Sequence, residues 1–349
     1  MQSVDPNRIP AVRLGTATAL AVMLLMAAIV VVMDREPPGR PGQAETATGA
    51  IAAELTAPLH VSTMGLGDKP WTLPPLPPPI PLPRVLITPT GVPVIVAGLA
   101  SSGYLVRSPC DNIVEVSDGE PVWSARVVID PGHGGRHNTG AWGYNGLVEG
   151  DLNLALGFAI QSELEARGVS TVLTRTGDYG TSFAMRADLA DILGAEVMLS
   201  LHHNAPLYYS RRSPGTEVYV QSDSPSSTRL GGLLYEEVSH ALDSAFDISW
   251  SGTRFTGVSR VLHPSGYDLY RILRLPDTTT VLVEYGYLAN PAEARLFATE
   301  EYLNVAAAAT ADAIVAFLET DRPGTGFHSE PRVFDARRAT VLCHETPLE

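Results

Sequence analysis

The stretch RVVIDPGHGG, residues 126–135, decides the fold: a short β-branched run that breaks into Asp-Pro-Gly and then a histidine between glycines. A run of this kind, stopped by turn residues, predicts a buried strand. Downstream, Leu152, Leu156, Ile160 and Leu164 recur at helical spacing until Gly168 supplies a C-terminal stop. The alternation continues, with strands expected at Thr171–Leu173, Val197–Leu201, Thr216–Gln221 and Val281–Val283. Helices are expected at Phe183–Leu193, Arg229–Ala245, Ala292–Phe297 and Tyr302–Leu318. Strands alternating with helices predict a three-layer α/β/α domain with a largely parallel mixed sheet.

Three of these strands run into polar residues. RVVI leads to His133, VMLSL (197–201) leads to His202-His203-Asn204, and VLV (281–283) leads to Glu284. In open α/β sheets ligands bind beyond the carboxyl ends of the strands. His133 reads either as a turn histidine or as a ligand that the flanking glycines leave unobstructed. His202 and His203 are adjacent in an extended segment, so only one can face a site, and the strand alone does not decide which. Glu149 stands where a helix should begin, and a carboxylate stabilised there by the helix dipole needs no other role. Glu284 closes an apolar run and should be buried, which calls for an ion pair with an arginine, a metal or a catalytic task. Two histidines and a carboxylate suit zinc, with a further carboxylate to take a proton from water. H-E-x-x-H, G-x-S-x-G and G-x-x-x-x-G-K are all absent.

The chain has 349 residues, so at about 150 residues per domain it exceeds one catalytic domain. With 45% hydrophobic and 18% charged residues it is not disordered as a whole, and a net charge of -14 argues against a nucleic-acid partner. Lys69 is the single lysine, which excludes Schiff-base chemistry and a phosphate-loop lysine from everything after it. Of 28 prolines, ten fall between Pro70 and Pro93. Leu14 to Met33 is uncharged and apolar enough to span the roughly 30 Å hydrocarbon core. Residues 1–33 are therefore expected to be a cytoplasmic stub and membrane anchor, or a signal, and residues 34–84 a stiff proline-rich linker. Residues 85–123 read as a small β element and 124–320 as the catalytic domain, with 321–349 left as a C-terminal tail. Cys110 and Cys343, the only cysteines, allow either a disulfide or two free thiols.

The motifs VVIDPGHGG (127–135), VEGDLNLAL (148–156), TRTGDY (174–179), SLHHNA (200–205) and VLVEYGYLANPAEARLF (281–297) together resemble the zinc-dependent N-acetylmuramoyl-L-alanine amidases of bacterial cell walls. The resemblance spans about residues 126–318, although 247–274 fits it poorly. It implies that His133, Glu149 and His202 hold zinc and that Glu284 is catalytic. The implied reaction is hydrolysis of the amide between N-acetylmuramic acid and L-alanine in peptidoglycan, by a zinc-activated water with Glu284 as general base. The shortness of the segment before Leu14 favours an N-terminus in the cytoplasm, with everything after Met33 outside, at the wall, or secreted if the segment is cleaved. A zinc peptidase on another peptidoglycan amide and a non-catalytic wall-binding protein are the alternatives. Whether the β element restrains the site, binds a regulatory protein or completes the domain is open at this level.

Overall fold

A computed structural model of the chain describes residues 81–143, 145–205, 215–248, 250, 254–335 and 342–349. The expected anchor and all but the last four residues of the linker lie outside the described residues. The small β element is present as a five-stranded antiparallel sheet of β1 (Val85–Ile87), β2 (Pro93–Ala100), β3 (Gly103–Arg107), β4 (Ile113–Val116) and β5 (Glu120–Val122), in the order β4-β3-β2-β1-β5. Its interior holds Leu86, Val92, Val94, Val106 and Val116, while Val85 and Ile95 share a second apolar cluster with the α/β body.

That body is built on β6 (Val127–Pro131), β7 (Thr171–Leu173), β8 (Val197–Asn204), β9 (Glu217–Val220), β10 (Gly257–Ser259) and β12 (Thr280–Tyr287), in the order β10-β9-β12-β8-β6-β7. β12, β8, β6 and β7 are mutually parallel, and β9 with β10 runs the other way. Both faces are covered, which is why the central strands are near-continuous apolar runs rather than alternating ones. One face buries Val127, Ile129, Leu199, Leu201, Val281 and Val283 against α1 (Glu149–Ala166), α3 (Pro225–Ala245) and α6 (Glu300–Glu319). The other buries Val128, Met198 and Leu282 with Met185, Leu189 and Leu193 of α2 (Phe183–Leu193) and with Ile272 and Leu273 of the short α4 (Arg271–Arg274). Local signals set the helix ends. Ser182 caps α2 by accepting the Met185 N–H, and Gly194 closes it at φ 65°. Asn290 caps α5 (Pro291–Phe297) with proline in its first turn.

Three expectations need revision. The strands with polar ends do not stop there: β8 continues to Asn204 and β12 to Tyr287, because their ladder resumes after a register shift beyond Glu284. The helix expected from Arg229 starts at Pro225, where Ser224 accepts the Ser227 N–H. The segment read as a tail is partly structural. Its β13 (Arg332–Val333) pairs in parallel with β11 (Val261–Leu262), and His328 N–H donates to Val258.

Cys110 and Cys343 are joined, with Cα atoms 5.5 Å apart. Around this bond Ser108 donates to Glu345 at 2.8 Å, Thr90 to the Pro347 carbonyl at 2.9 Å and Ser117 to Glu349 at 2.7 Å. The closed loop spans 233 residues, so the chain-entropy model assigns the disulfide about 5.5 kcal/mol. Cys343→Ser is expected to lower the unfolding free energy from urea titration by that order, and dithiothreitol to do the same to the wild type; unchanged values would show that the tail contributes nothing to stability.

Candidate metal centre

β6 delivers the chain to the carboxyl edge of the sheet and then turns sharply at Gly132. A Cβ on Gly132 would lie 2.3 Å from the His202 imidazole, so glycine is what lets the loop and that ring share the space. His133 follows at φ 65°, an uncommon conformation for a residue with a side chain, and Arg186 fixes it by donating to its carbonyl at 2.7 Å. Gly140, at φ 74°, returns the loop so closely that a Cβ there would lie 2.6 Å from Glu149 Oε2.

Glu149 does begin α1, but the helix dipole is not its main partner. Its Oε1 lies 3.0 Å from His133 Nε2 and 3.0 Å from His202 Nδ1, and its Oε2 accepts the Ala141 N–H at 2.8 Å. Donor atoms of His133, Glu149 and His202 all fall within 4.8 Å of one another, and among the described residues this is the one His/Cys/Asp/Glu group of three or more so placed. Asn138 orients the His133 ring through Nδ1 at 2.8 Å. Burial pushes Glu149 up, but hydrogen bonds to His133 and His202 outweigh it and hold the carboxyl well below its usual range. Burial pulls His133 down, but the hydrogen bond and charge of Glu149 and the bond to Asn138 together outweigh it, whereas burial wins at His202 and lowers it.

The paired histidines separate as their alternation requires. His202 faces Glu149, and His203 turns to the opposite face, fully buried between Asn153 (2.8 Å to Nδ1) and Tyr302 (2.7 Å to Nε2), with burial driving it down to about 3. Glu284 is the register partner of His202 on the neighbouring strand. Its Oε2 is buried without a hydrogen-bond partner, and no ion pair to it is present among the described residues. Burial, with Glu149 and Glu217 nearby, holds this carboxyl well above the usual range.

Sequence reasoning missed the two arginines that brace the glycine loop. Arg175, 1% exposed, donates to the carbonyls of Pro131, Gly132, Gly150 and Gly177, and burial pushes it down to about 10. Arg186 donates to Pro131, to His133 and to Asp130, whose carboxylate also accepts Thr174 at 2.6 Å and Ser200 at 2.7 Å. The available signal is an arginine two residues after β7 and another on the apolar face of α2. Burial alone would raise Asp130, yet Arg186, Thr174 and Ser200 lower it. An unfolded aspartate titrates near about 3.9. The stabilisation from Asp130 is therefore complete above that value and is lost as pH falls through the lower folded one. Asp130→Ala is expected to cost about 3–5 kcal/mol at neutral pH, since Arg186 is left buried and unpaired. Urea midpoints at pH 7 and pH 3 check this: the penalty should shrink at pH 3, and equal penalties would contradict it.

A family model described as N-acetylmuramoyl-L-alanine amidase matches residues 127–316. The N-acetylmuramoyl-L-alanine amidase AmiA of Escherichia coli (strain K12) is 27% identical over 264 residues, covering 64% of this chain and 90% of that protein. The uncharacterized protein YqiI of Bacillus subtilis (strain 168) is 30% identical over 217 residues, covering 62% of this chain and 93% of its own length. The solved structure of N-acetylmuramoyl-L-alanine amidase AmiC2 of Nostoc punctiforme is 30% identical, with a TM-score of 0.48 over 56% of this chain and 99% of that one. The matched span takes in more than half of the sequence and all of His133, Glu149, His202 and Glu284, and the chain belongs to the N-acetylmuramoyl-L-alanine amidase family.

Proposed function

We propose that the protein hydrolyses the amide between N-acetylmuramic acid and L-alanine in peptidoglycan, with zinc held by His133, Glu149 and His202 and with Glu284 as general base. The observation that carries this reading is the cluster of two imidazoles and a carboxylate within 4.8 Å, next to a buried Glu284 oxygen with no partner. The donor set fits zinc, which takes nitrogen and oxygen ligands and in catalytic sites leaves a position open. When bound, zinc supplies Lewis-acid polarisation of the scissile carbonyl and a lowered pKa for a coordinated water. Glu284 accepts the proton of the attacking water and returns it to the alanine nitrogen as the carbon–nitrogen bond breaks. Asn138 keeps the His133 imidazole oriented through its other ring nitrogen, while Arg175 and Arg186 hold the loop that carries His133. The Cys110–Cys343 disulfide supports a working place outside the reducing cytoplasm.

The test is digestion of purified peptidoglycan followed by mass spectrometry, together with the zinc-to-protein ratio. Intact stem peptides freed from glycan are expected, at about one zinc per chain. Products cut within the stem peptide would mean a peptidase, and no products from a zinc-loaded protein would mean a non-catalytic wall-binding protein.

A further inference from the structure

A second carboxylate stands beside Glu284 and has no part in the reaction above. β9 runs antiparallel to β12, so its first residue, Glu217, is the register partner of Glu284. Partnered residues on adjacent strands turn their side chains to one face. His202, Glu284 and Glu217 thus form a row across β8, β12 and β9. Glu217 is 2% exposed, and a carboxylate so buried needs a counter-charge and hydrogen bonds. It has both: Oε1 accepts the Tyr287 hydroxyl, and Oε2 accepts the Tyr219 hydroxyl at 2.8 Å and the Arg332 guanidinium. Arg332 belongs to β13, beyond residue 316 where the family match ends. It also donates to the Phe255 carbonyl and lies over the rings of Tyr219 and Phe255, 5.6 and 4.9 Å from their centroids.

The two tyrosines are neighbours of Glu284 as well. Burial first, and then the Glu217 and Glu284 charges among other causes, raise Tyr219 and Tyr287, so both phenols stay protonated and must donate somewhere. Both donate to Glu217, while Glu284 Oε2 has no partner. A general base needs a free lone pair within reach of the proton it takes, and a phenol donating to it would occupy that lone pair and weaken the base.

We propose that the Arg332–Glu217 pair is a positioning device for Glu284: it gathers the Tyr219 and Tyr287 hydroxyls and leaves the Glu284 carboxylate open to the attacking water. The inference rests on Glu284 being the base. The hydrogen bonds of Arg332 and Glu217 go to each other, to Tyr219, Tyr287 and Phe255 and not to the proposed zinc ligands, so their effect on turnover is expected to run through Glu284. The C-terminal segment thereby contributes to the reaction, although it lies outside the matched family span.

The experiment uses full-length, zinc-loaded protein and a soluble muropeptide that contains the scissile amide, with kcat, KM and the zinc-to-protein ratio measured for each variant. Arg332→Leu is expected to lower kcat per bound zinc about tenfold or more, with KM and zinc content unchanged. Arg332→Lys should recover most of the loss, because the charge opposite Glu217 returns. Adding Tyr287→Phe to Arg332→Leu should raise kcat again, since the hydroxyl released toward Glu284 is gone; a purely structural role predicts a further loss. Glu217→Gln reaches the same effect by a route that keeps side-chain shape, should Arg332→Leu fail to fold. Wild-type kcat per zinc in both Arg332→Leu and Glu217→Gln, or a loss confined to KM or zinc content, overturns the proposal. Glu284→Gln, measured alongside, separates the two levels. If it keeps wild-type kcat, the base assignment and this inference fall together. If it alone is inactive, only the positioning device is overturned.

Discussion

Glu284→Gln is expected to lower kcat roughly 10²–10⁴-fold, the usual contribution of a general base, while the zinc-to-protein ratio stays at the wild-type value. The substitution keeps the size and shape of the side chain, so β12 and its pairing with β8 and β9 have no reason to move. What it removes is basicity at an oxygen that is buried and unpartnered. Because burial and the neighbouring Glu149 and Glu217 hold this carboxyl above the usual range, it is a stronger base than a surface glutamate, and an amide in its place cannot take a proton at all. Burial penalises the ionised form of this carboxyl, and a neutral amide carries no such desolvation cost, so thermal stability should be equal to or above that of the wild type. Activity and stability therefore move in opposite directions, which a general loss of folding cannot imitate. A variant with wild-type rate would remove Glu284 from the mechanism, and one that lost zinc together with activity would make it a ligand instead.

Much of this site is legible in the sequence because its signals are local. The Thr171–Leu173 strand and the Phe183–Leu193 helix fall where β-branched runs, apolar spacing and a terminal glycine put them. The alternation of a strand says that His202 and His203 must part, and they do, one to Glu149 and one to Asn153 and Tyr302. Glu149 shows where local reading stops. A glutamate in the first turn of a helix satisfies every local rule, and only the tertiary approach of His133 and His202 gives its carboxylate a second purpose. The resemblance to a known family supplied that purpose; periodicity could not.

The illegible parts share a physical cause. β10, β11 and β13 are strands of two or three residues whose partners are distant in sequence, so no run of residues announces them. Val258 joins Gly326 and His328, and Arg260 joins Arg332, only when the chain beyond α6 returns to the sheet edge. The arginines were hidden for a different reason. Arg175 and Arg186 bind backbone carbonyls more than carboxylates, and a carbonyl leaves no mark in a sequence. Segment 247–274, which fits the amidase motifs poorly, is where this chain builds β10, β11 and α4 and receives its C-terminal return.

His133→Ala is expected to leave a folded protein that no longer retains zinc, with activity lost as a consequence. The loop around position 133 does not depend on the imidazole for its shape. Arg186 grips the His133 carbonyl, Arg175 grips Pro131 and Gly132, and Gly134 N–H donates to Asn138. Alanine, like histidine, carries a Cβ but no β-branch at φ 65°, so the exchange adds only a small strain of that kind. Glu149 keeps His202 and the Ala141 N–H as partners, so its buried carboxylate is not abandoned. The loss therefore falls on the metal: two donors remain where three converged, and affinity should drop by more than the roughly 10–100-fold that outer-shell changes cost. Two measurements separate this from misfolding. After dialysis against a chelator that spares the wild type, the zinc-to-protein ratio of the variant should approach zero. Because a ligand stabilises only the state that binds it, stronger chelation should lower the wild-type Tm and leave that of His133→Ala unmoved. A variant with wild-type zinc content and a chelator-sensitive Tm would place the metal elsewhere.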